Sequence, residues 1–434
     1  MDEKLKREFA EKAMTAEEAV RLVKNDDTVY IGTCSSVAYG LLEALWERRD
    51  DLTGVTLTGA LVEAPADAIL SDKFHYISYF FGSQERRRYN STKIDLASVH
   101  LSQTDIWSKS IARPDAALLD VSPPDGNGYM CYGAGGVGIG SHIKDAAEVI
   151  ILQINRNEPY VYGENNLVHI SEAEAVVYCD IDLPEPSELP KDEAIGTIAD
   201  FLIGQIPDGS CIQLGLGGVA TAVGYGLREK NDLGAHSELV SDCIMDLMKL
   251  GVLNNKRKNF FPEKTVTGFS FGSKALYNFL NYNDDIYFMP FTEVNDPVNI
   301  ARNDNMVSIN TAVSIDLFGQ VNAENIAGRQ YSGTGGQLDF VKGAQMSKGG
   351  KSFIAVQSVV NSSKTGKTSR IVSQFPAGAI VTTPRSEVQY VVTEFGCVNL
   401  KEMCMRDRVS AMISLAHPDF RPVLTDEARY AGML

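Results

Sequence analysis

Cys211-Ile-Gln-Leu-Gly-Leu-Gly-Gly-Val-Ala220 is a short β-rich run that ends in Gly215, Gly217 and Gly218 and passes directly into the helix-patterned Thr221-Ala-Val-Gly-Tyr-Gly-Leu227. Upstream, Glu193-Ala-Ile-Gly-Thr-Ile-Ala-Asp200 has a helical pattern and is separated from the run by Pro207-Asp208-Gly209. Helix, acidic turn, strand, glycine, helix is the grammar of an α/β domain with a largely parallel, buried sheet. The same order occurs near the start of the chain. Glu17-Glu-Ala-Val-Arg-Leu-Val-Lys24 precedes Asp26-Asp27, and a strand follows that ends in Ile31-Gly32.

Two further echoes extend the duplication. Asp125-Gly-Asn-Gly128 answers Phe318-Gly-Gln-Val-Asn322, and Ser171-Glu-Ala-Glu-Ala-Val-Val-Tyr178 answers Ser386-Glu-Val-Gln-Tyr-Val-Val-Thr393. With the helix and the strand ending in glycine counted separately, four matches in one order predict two similar α/β domains. Leu183-Pro-Glu-Pro-Ser-Glu-Leu-Pro190 joins them, because its prolines block both helix and central strand. The expected division is 1–185 and 186–434, with a site at the interface. Strands are also expected at 27–32, 149–153, 352–356 and 390–393.

Composition narrows the function classes. With 434 residues, 44% of them apolar, the chain can bury large cores, and its net charge of −16 argues against nucleic-acid and anionic-membrane binding. The charged N-terminal stretch lacks a signal core, and no apolar run reaches a bilayer-spanning length, so a cytoplasmic protein is expected. Seven cysteines are scattered without a CxxC pair or zinc-ligand spacing, which predicts reduced, mostly buried thiols and no metal site.

Three stretches carry chemistry. The glycines at 215–218 allow a ligand close to the backbone at a helix start, although Ala220 stands where a dinucleotide fingerprint needs glycine. A tight strand–helix turn is the alternative reading. Leu233-Gly-Ala-His-Ser-Glu-Leu-Val-Ser-Asp242 places Glu238 at an expected strand-to-loop junction. Glutamate so close to a helix start serves either as a dipole-pairing group or as a catalyst. His236 and Ser237 adjoin it, but neighbours on an extended chain point opposite ways and do not make a triad. Gly328-Arg-Gln-Tyr-Ser-Gly-Thr-Gly-Gly-Gln-Leu-Asp-Phe340 clusters Gly333, Gly335 and Gly336, which suits backbone N–H groups converging on one oxygen. Ser363-Lys-Thr-Gly-Lys-Thr-Ser-Arg370 reads as a solvated cationic hairpin tip, with a phosphate contact from Lys364 as the alternative.

Taken together, QLGLGGVA, HSELVSD, FGQVNAE, GRQYSGTGGQLDF, YVVTEFG and ISLAHPDF resemble the acetyl-CoA hydrolase/transferase family, in particular its 4-hydroxybutyrate and butyrate–acetate CoA-transferase branch. The resemblance runs over essentially the whole chain. It implies that Glu238 is a nucleophile carrying CoA as a thioester, that Gly336 and Asn295 lie at the reacting carbonyl, and that Gly215, Leu216, Gly217, Gly218, Val219, Gly335 and Lys364 contact CoA. For Glu394, in the TEFG segment, it leaves ion pairing, substrate orientation and catalysis open. Many relatives carry proline near Ala220, so the helix entry is expected to differ here. CoA and acyl-CoA are implied as substrates, with no permanently bound cofactor, a short-chain carboxylate as co-substrate, and a homo-oligomer. Acyl-CoA hydrolysis and an idle CoA-binding subunit remain the alternatives.

Overall fold

The computed structural model describes residues 1–88, 92–187, 192–362 and 366–434. The chain forms two compact units that are interleaved in sequence. Met1–Ser187, Leu239–Met245 and Thr265–Val294 make the first; Glu188–Glu238, Asp246–Lys264 and Asn295–Leu434 make the second. A single cut at 185/186 does not describe this division. The proline-rich join is visible in composition, whereas the excursions at 239–245 and 265–294 have the same apolar texture as their surroundings.

The first unit holds a seven-stranded parallel sheet of β1 (Thr28–Thr33), β2 (Thr56–Ala60), β3 (His75–Ser78), β4 (Ile94–Leu96), β5 (Ala116–Val121), β6 (Val149–Ile154) and β7 (Ala175–Tyr178), in the order β7-β6-β5-β1-β2-β3-β4. Helices cover it, among them α1 (Glu3–Lys12), α2 (Ala16–Ala19), α3 (Tyr39–Glu47) and α4 (Gly133–Ala146). Every residue of β5 is buried, as a strand covered on both faces requires. Val29, Ile31, Leu57, Leu118 and Ile151 share one apolar cluster with Leu41 and Leu45 of α3.

In the second unit, β8 (Cys211–Leu214), β9 (Gly234–Val240), β10 (Met306–Thr311), β11 (Lys351–Ala355), β12 (Tyr390–Thr393) and β13 (Gly396–Asn399) lie in the order β13-β12-β11-β10-β8-β9. All pairings from β12 to β9 are parallel, and β13 adds an antiparallel edge. The relevant helices are α5 (Glu193–Gly204), α6 (Gly218–Gly226), α7 (Asp242–Lys249, whose residues up to Met245 belong to the first unit) and α8 (Gln337–Met346).

The duplication is now explicit, since β7-β6-β5-β1-β2 and β12-β11-β10-β8-β9 are the same order. The echo of Ser171–Tyr178 in Ser386–Thr393 holds to the residue: Ala175 pairs with Ile151, third in β6, and Tyr390 pairs with Phe353, third in β11. The turn echo holds in a different register. Asp125 Oδ1 accepts from the N–H groups of Asn127 (2.8 Å) and Tyr129 (3.0 Å), while Asp316 Oδ1 accepts from those of Phe318 (3.0 Å) and Gln320 (2.8 Å). Gly128 (φ 87°) and Gly319 (φ 86°) follow each aspartate by three residues, so Asp125 matches Asp316. Such a carboxylate-braced turn needs a left-handed residue at that point, and glycine supplies it at no steric cost.

Candidate active site

Glu238 sits inside β9, two residues before its end, where a strand-to-loop junction was expected. Parallel register with β8 pairs Cys211 with Gly234 and Ile212 with Ala235. Continued along the strands, it brings Gly215 level with Glu238. The Ser237 Oγ–Leu214 O hydrogen bond of 3.3 Å lies where this register requires. Glu238 therefore stands at the carboxyl edge of the sheet, beside the first glycine of the strand–helix turn. That edge is where open α/β sheets bind ligands.

The carboxyl group is held from two directions. Asn295 Nδ2 donates to Glu238 Oε2 at 2.9 Å, and the Gly336 backbone also donates to the carboxyl. Asn295 is fully buried, and its Oδ1 has no hydrogen-bond partner among the described residues. Gly336 has to be glycine because of close approach: a Cβ there would fall on the Glu238 carboxyl and the Asn295 amide. Gly335 has φ 62°, the left-handed turn that leads the chain into α8. Gln337, first in α8, is clamped by Nε2 donation to Thr311 O (3.0 Å) and by Thr383 Oγ1 donation to its Oε1 (2.9 Å). The helix start is thereby fixed to the end of β10.

Burial pushes the Glu238 carboxyl up to about 7; the Asn295 hydrogen bond opposes the rise, the nearby Asp339 charge adds to it, and the Gly336 donor opposes it. The side chain lies deep in the unit yet keeps part of its surface accessible. Asp339, in the first turn of α8 and 5% exposed, is the group that sequence reading passed over. The only local signal was an acidic residue at a helix start, which ordinarily marks dipole pairing.

The neighbours of Glu238 serve structure. His236 is fully buried between Phe260 and Phe340, with Nδ1 3.4 Å from Asn303 Nδ2, and Ser237 points to Leu214 O. The turn after β8 has one strained position, Gly217 at φ 114°, and α6 starts at Gly218, where a Cβ would press on Ile195. Val219 is buried and Leu216 is 43% exposed, an apolar side chain presented at the ligand edge. Lys364 lies outside the described residues. Glu394 takes both the N–H (2.9 Å) and the hydroxyl (2.5 Å) of Ser358, which follows β11. Among the described residues no His, Cys, Asp and Glu group could hold a metal ion, no helix is long and apolar enough to cross a membrane, and all seven cysteines are free.

Residues 1–186 match the acetyl-CoA hydrolase/transferase N-terminal domain and residues 272–428 the C-terminal domain of the same name. The 4-hydroxybutyrate coenzyme A transferase of Clostridium kluyveri is 37% identical over 96% of this chain and 97% of its own length. The butyryl-CoA:acetate CoA-transferase of Anaerostipes caccae is 34% identical, with 98% of each chain covered. Among solved structures, RipA from Yersinia pestis superposes with a TM-score of 0.92 at 34% identity over 100% of both chains. The chain belongs to the acetyl-CoA hydrolase/transferase family.

Proposed function

We propose that the chain is a CoA-transferase that moves CoA between a short-chain acyl-CoA and a carboxylate through a thioester on Glu238. The observation that carries this reading is the placement of two donors, Asn295 Nδ2 and the Gly336 backbone N–H, on a carboxyl group that remains partly accessible.

An ionised Glu238 oxygen attacks the acyl-CoA carbonyl, the C–S bond breaks, CoA leaves as thiolate, and an acyl-glutamyl anhydride remains. The thiolate then attacks the glutamyl carbonyl. The first acid departs as carboxylate, and glutamyl-CoA remains. In this second addition the oxyanion forms on the Glu238 carboxyl, where Asn295 Nδ2 and the Gly336 N–H already donate. One such preorganised donor is worth about 2.7–4 kcal/mol of barrier. An incoming carboxylate reverses both steps. Leu216 and the glycines of the 215–219 turn suit the pantetheine arm, and contacts remote from the sulfur supply binding energy for orientation. The name of each relative gives acyl groups of that relative; short aliphatic acids are the class proposed here.

Incubation with acyl-CoA followed by borohydride is expected to inactivate the enzyme and convert Glu238 to the alcohol, because a thioester is reducible and a free carboxylate is not. Retained activity with an unmodified Glu238 peptide by mass spectrometry overturns the covalent step. CoA release that runs as fast without an acceptor acid as with one assigns the chain to hydrolysis.

A further inference from the structure

Among the described residues, Arg370 is a cation whose side chain has no hydrogen-bond or ion-pair partner, at the ligand edge of the second unit. Its backbone is fixed on both sides, with N–H donating to Ser358 O (2.8 Å) and the carbonyl accepting from Ile315 N (2.9 Å). Ser358 is three residues beyond the end of β11, so Arg370 is anchored at the carboxyl end of the sheet. Among the described residues its half-buried guanidinium makes no hydrogen bond or ion pair. Burial holds it below the usual arginine range, against the pull of Glu394, Asp192 and Tyr331.

The two acids nearby are committed elsewhere. Asp192 caps α5 by accepting from Ile195 N (3.2 Å) and takes Gln357 Nε2 (2.9 Å) on its other oxygen. Both Glu394 oxygens are taken by Ser358. A half-buried guanidinium that leaves two carboxylates to other donors retains a planar fork of N–H groups, and that fork matches a phosphate bidentately. Tyr331 leads directly into the glycine-rich loop of Gly335 and Gly336. Three strand spacings of about 4.8 Å separate β9 from β11, roughly 14 Å along the edge. An extended pantetheine arm bridges that order of distance.

We propose that Arg370 binds a phosphate group of CoA, with the thiol end of the same molecule at Glu238. This rests on the CoA-transferase reading above. The test compares Arg370→Met with the parent enzyme on three thioesters of one acid: acyl-CoA, its 3′-dephospho form, and acyl-pantetheine, which has no phosphate. Arg370→Met is expected to raise KM for acyl-CoA roughly tenfold to a hundredfold, the range of a charged hydrogen-bonded pair, and to leave the two proteins equal on acyl-pantetheine. A penalty that disappears with the dephospho substrate assigns the 3′-phosphate; one that persists assigns the pyrophosphate. Arg370→Lys keeps the charge without the fork and is expected to fall between them. It carries the test if the methionine variant fails to fold. An unchanged KM for acyl-CoA, or an equal penalty on acyl-pantetheine, overturns the proposal while the parent enzyme still exchanges acyl groups. A parent enzyme that exchanges none breaks the underlying reading instead.

Discussion

The two units use one strand order, and each sets a carboxyl group against a glycine at the start of a corresponding helix, yet only one of these carboxyls is open. In the first unit, Glu158 Oε2 accepts from Ala134 N at 3.0 Å, and a Cβ on Gly133 would collide with the Glu158 carboxyl. Glu158 is 2% exposed and neighbours Asp120, itself 3% exposed and hydrogen-bonded to Gln153 Nε2 (2.8 Å) and Asn155 Nδ2 (3.0 Å). Burial raises both acids, and the Asp120 charge raises Glu158 further, so ionising both is disfavoured and the pair acts as a closed structural brace. In the second unit, Glu238 faces Gly336 with an amide and a backbone donor and Asp339 nearby, and the residue is partly accessible. The same scaffold thus makes a sealed brace of Glu158 and a partly accessible carboxyl of Glu238, the group proposed above as the nucleophile.

The sharpest way to break this contrast is to remove each carboxylate in turn. Glu238→Ala is expected to lower acyl exchange by roughly four orders of magnitude or more without loss of fold. Glu158→Ala is expected to cost about 1–3 kcal/mol of stability by leaving the Ala134 N–H without its acceptor, with exchange per folded molecule retained. Denaturant unfolding and initial rates on both variants check the pair; equal losses of rate in the two erase the distinction.

Next come the glycines. Gly336→Ala keeps the N–H but pushes a methyl into the Glu238 and Asn295 contact, and the displaced donors are expected to reduce kcat by about a hundredfold to a thousandfold, the scale of one oxyanion donor. Gly133→Ala combines a clash on Glu158 with φ 73° and is expected to reduce stability with kcat unchanged in the folded fraction.

The smallest effect concerns pH. Attack needs ionised Glu238, so exchange is expected to rise with pH through about 7. Asp339→Asn removes the like charge and moves that limb toward lower pH, while a limb that stays in place sinks the role given to Asp339. The stability sign is the reverse. The folded Glu238 carboxyl titrates above its unfolded value, so its stabilising contribution is full at acid pH, below the unfolded value, and is lost as pH rises to about 7. The same Glu238→Ala protein should therefore compare more favourably with the parent in thermal unfolding at pH 8 than at pH 4.

The sequence by itself determined the repeated elements. Apolar runs at 149–153 and 390–393 became strands at Val149–Ile154 and Tyr390–Thr393, because short β-rich apolar runs bounded by turn residues are local signals. The resemblance singled out Glu238, Asn295 and Gly336 as residue types in order. Tertiary structure alone decided that Asn295, 57 residues away, donates to Glu238, that Asp339 raises it, and that Ser358 occupies both Glu394 oxygens while no described residue takes the Arg370 guanidinium. It also decided that the chain crosses between units at Glu238 and Asn295. Helix and strand periods are local properties of the chain, whereas the partner of a carboxyl depends on strand order and burial, which bring distant residues together only once the sheet has formed.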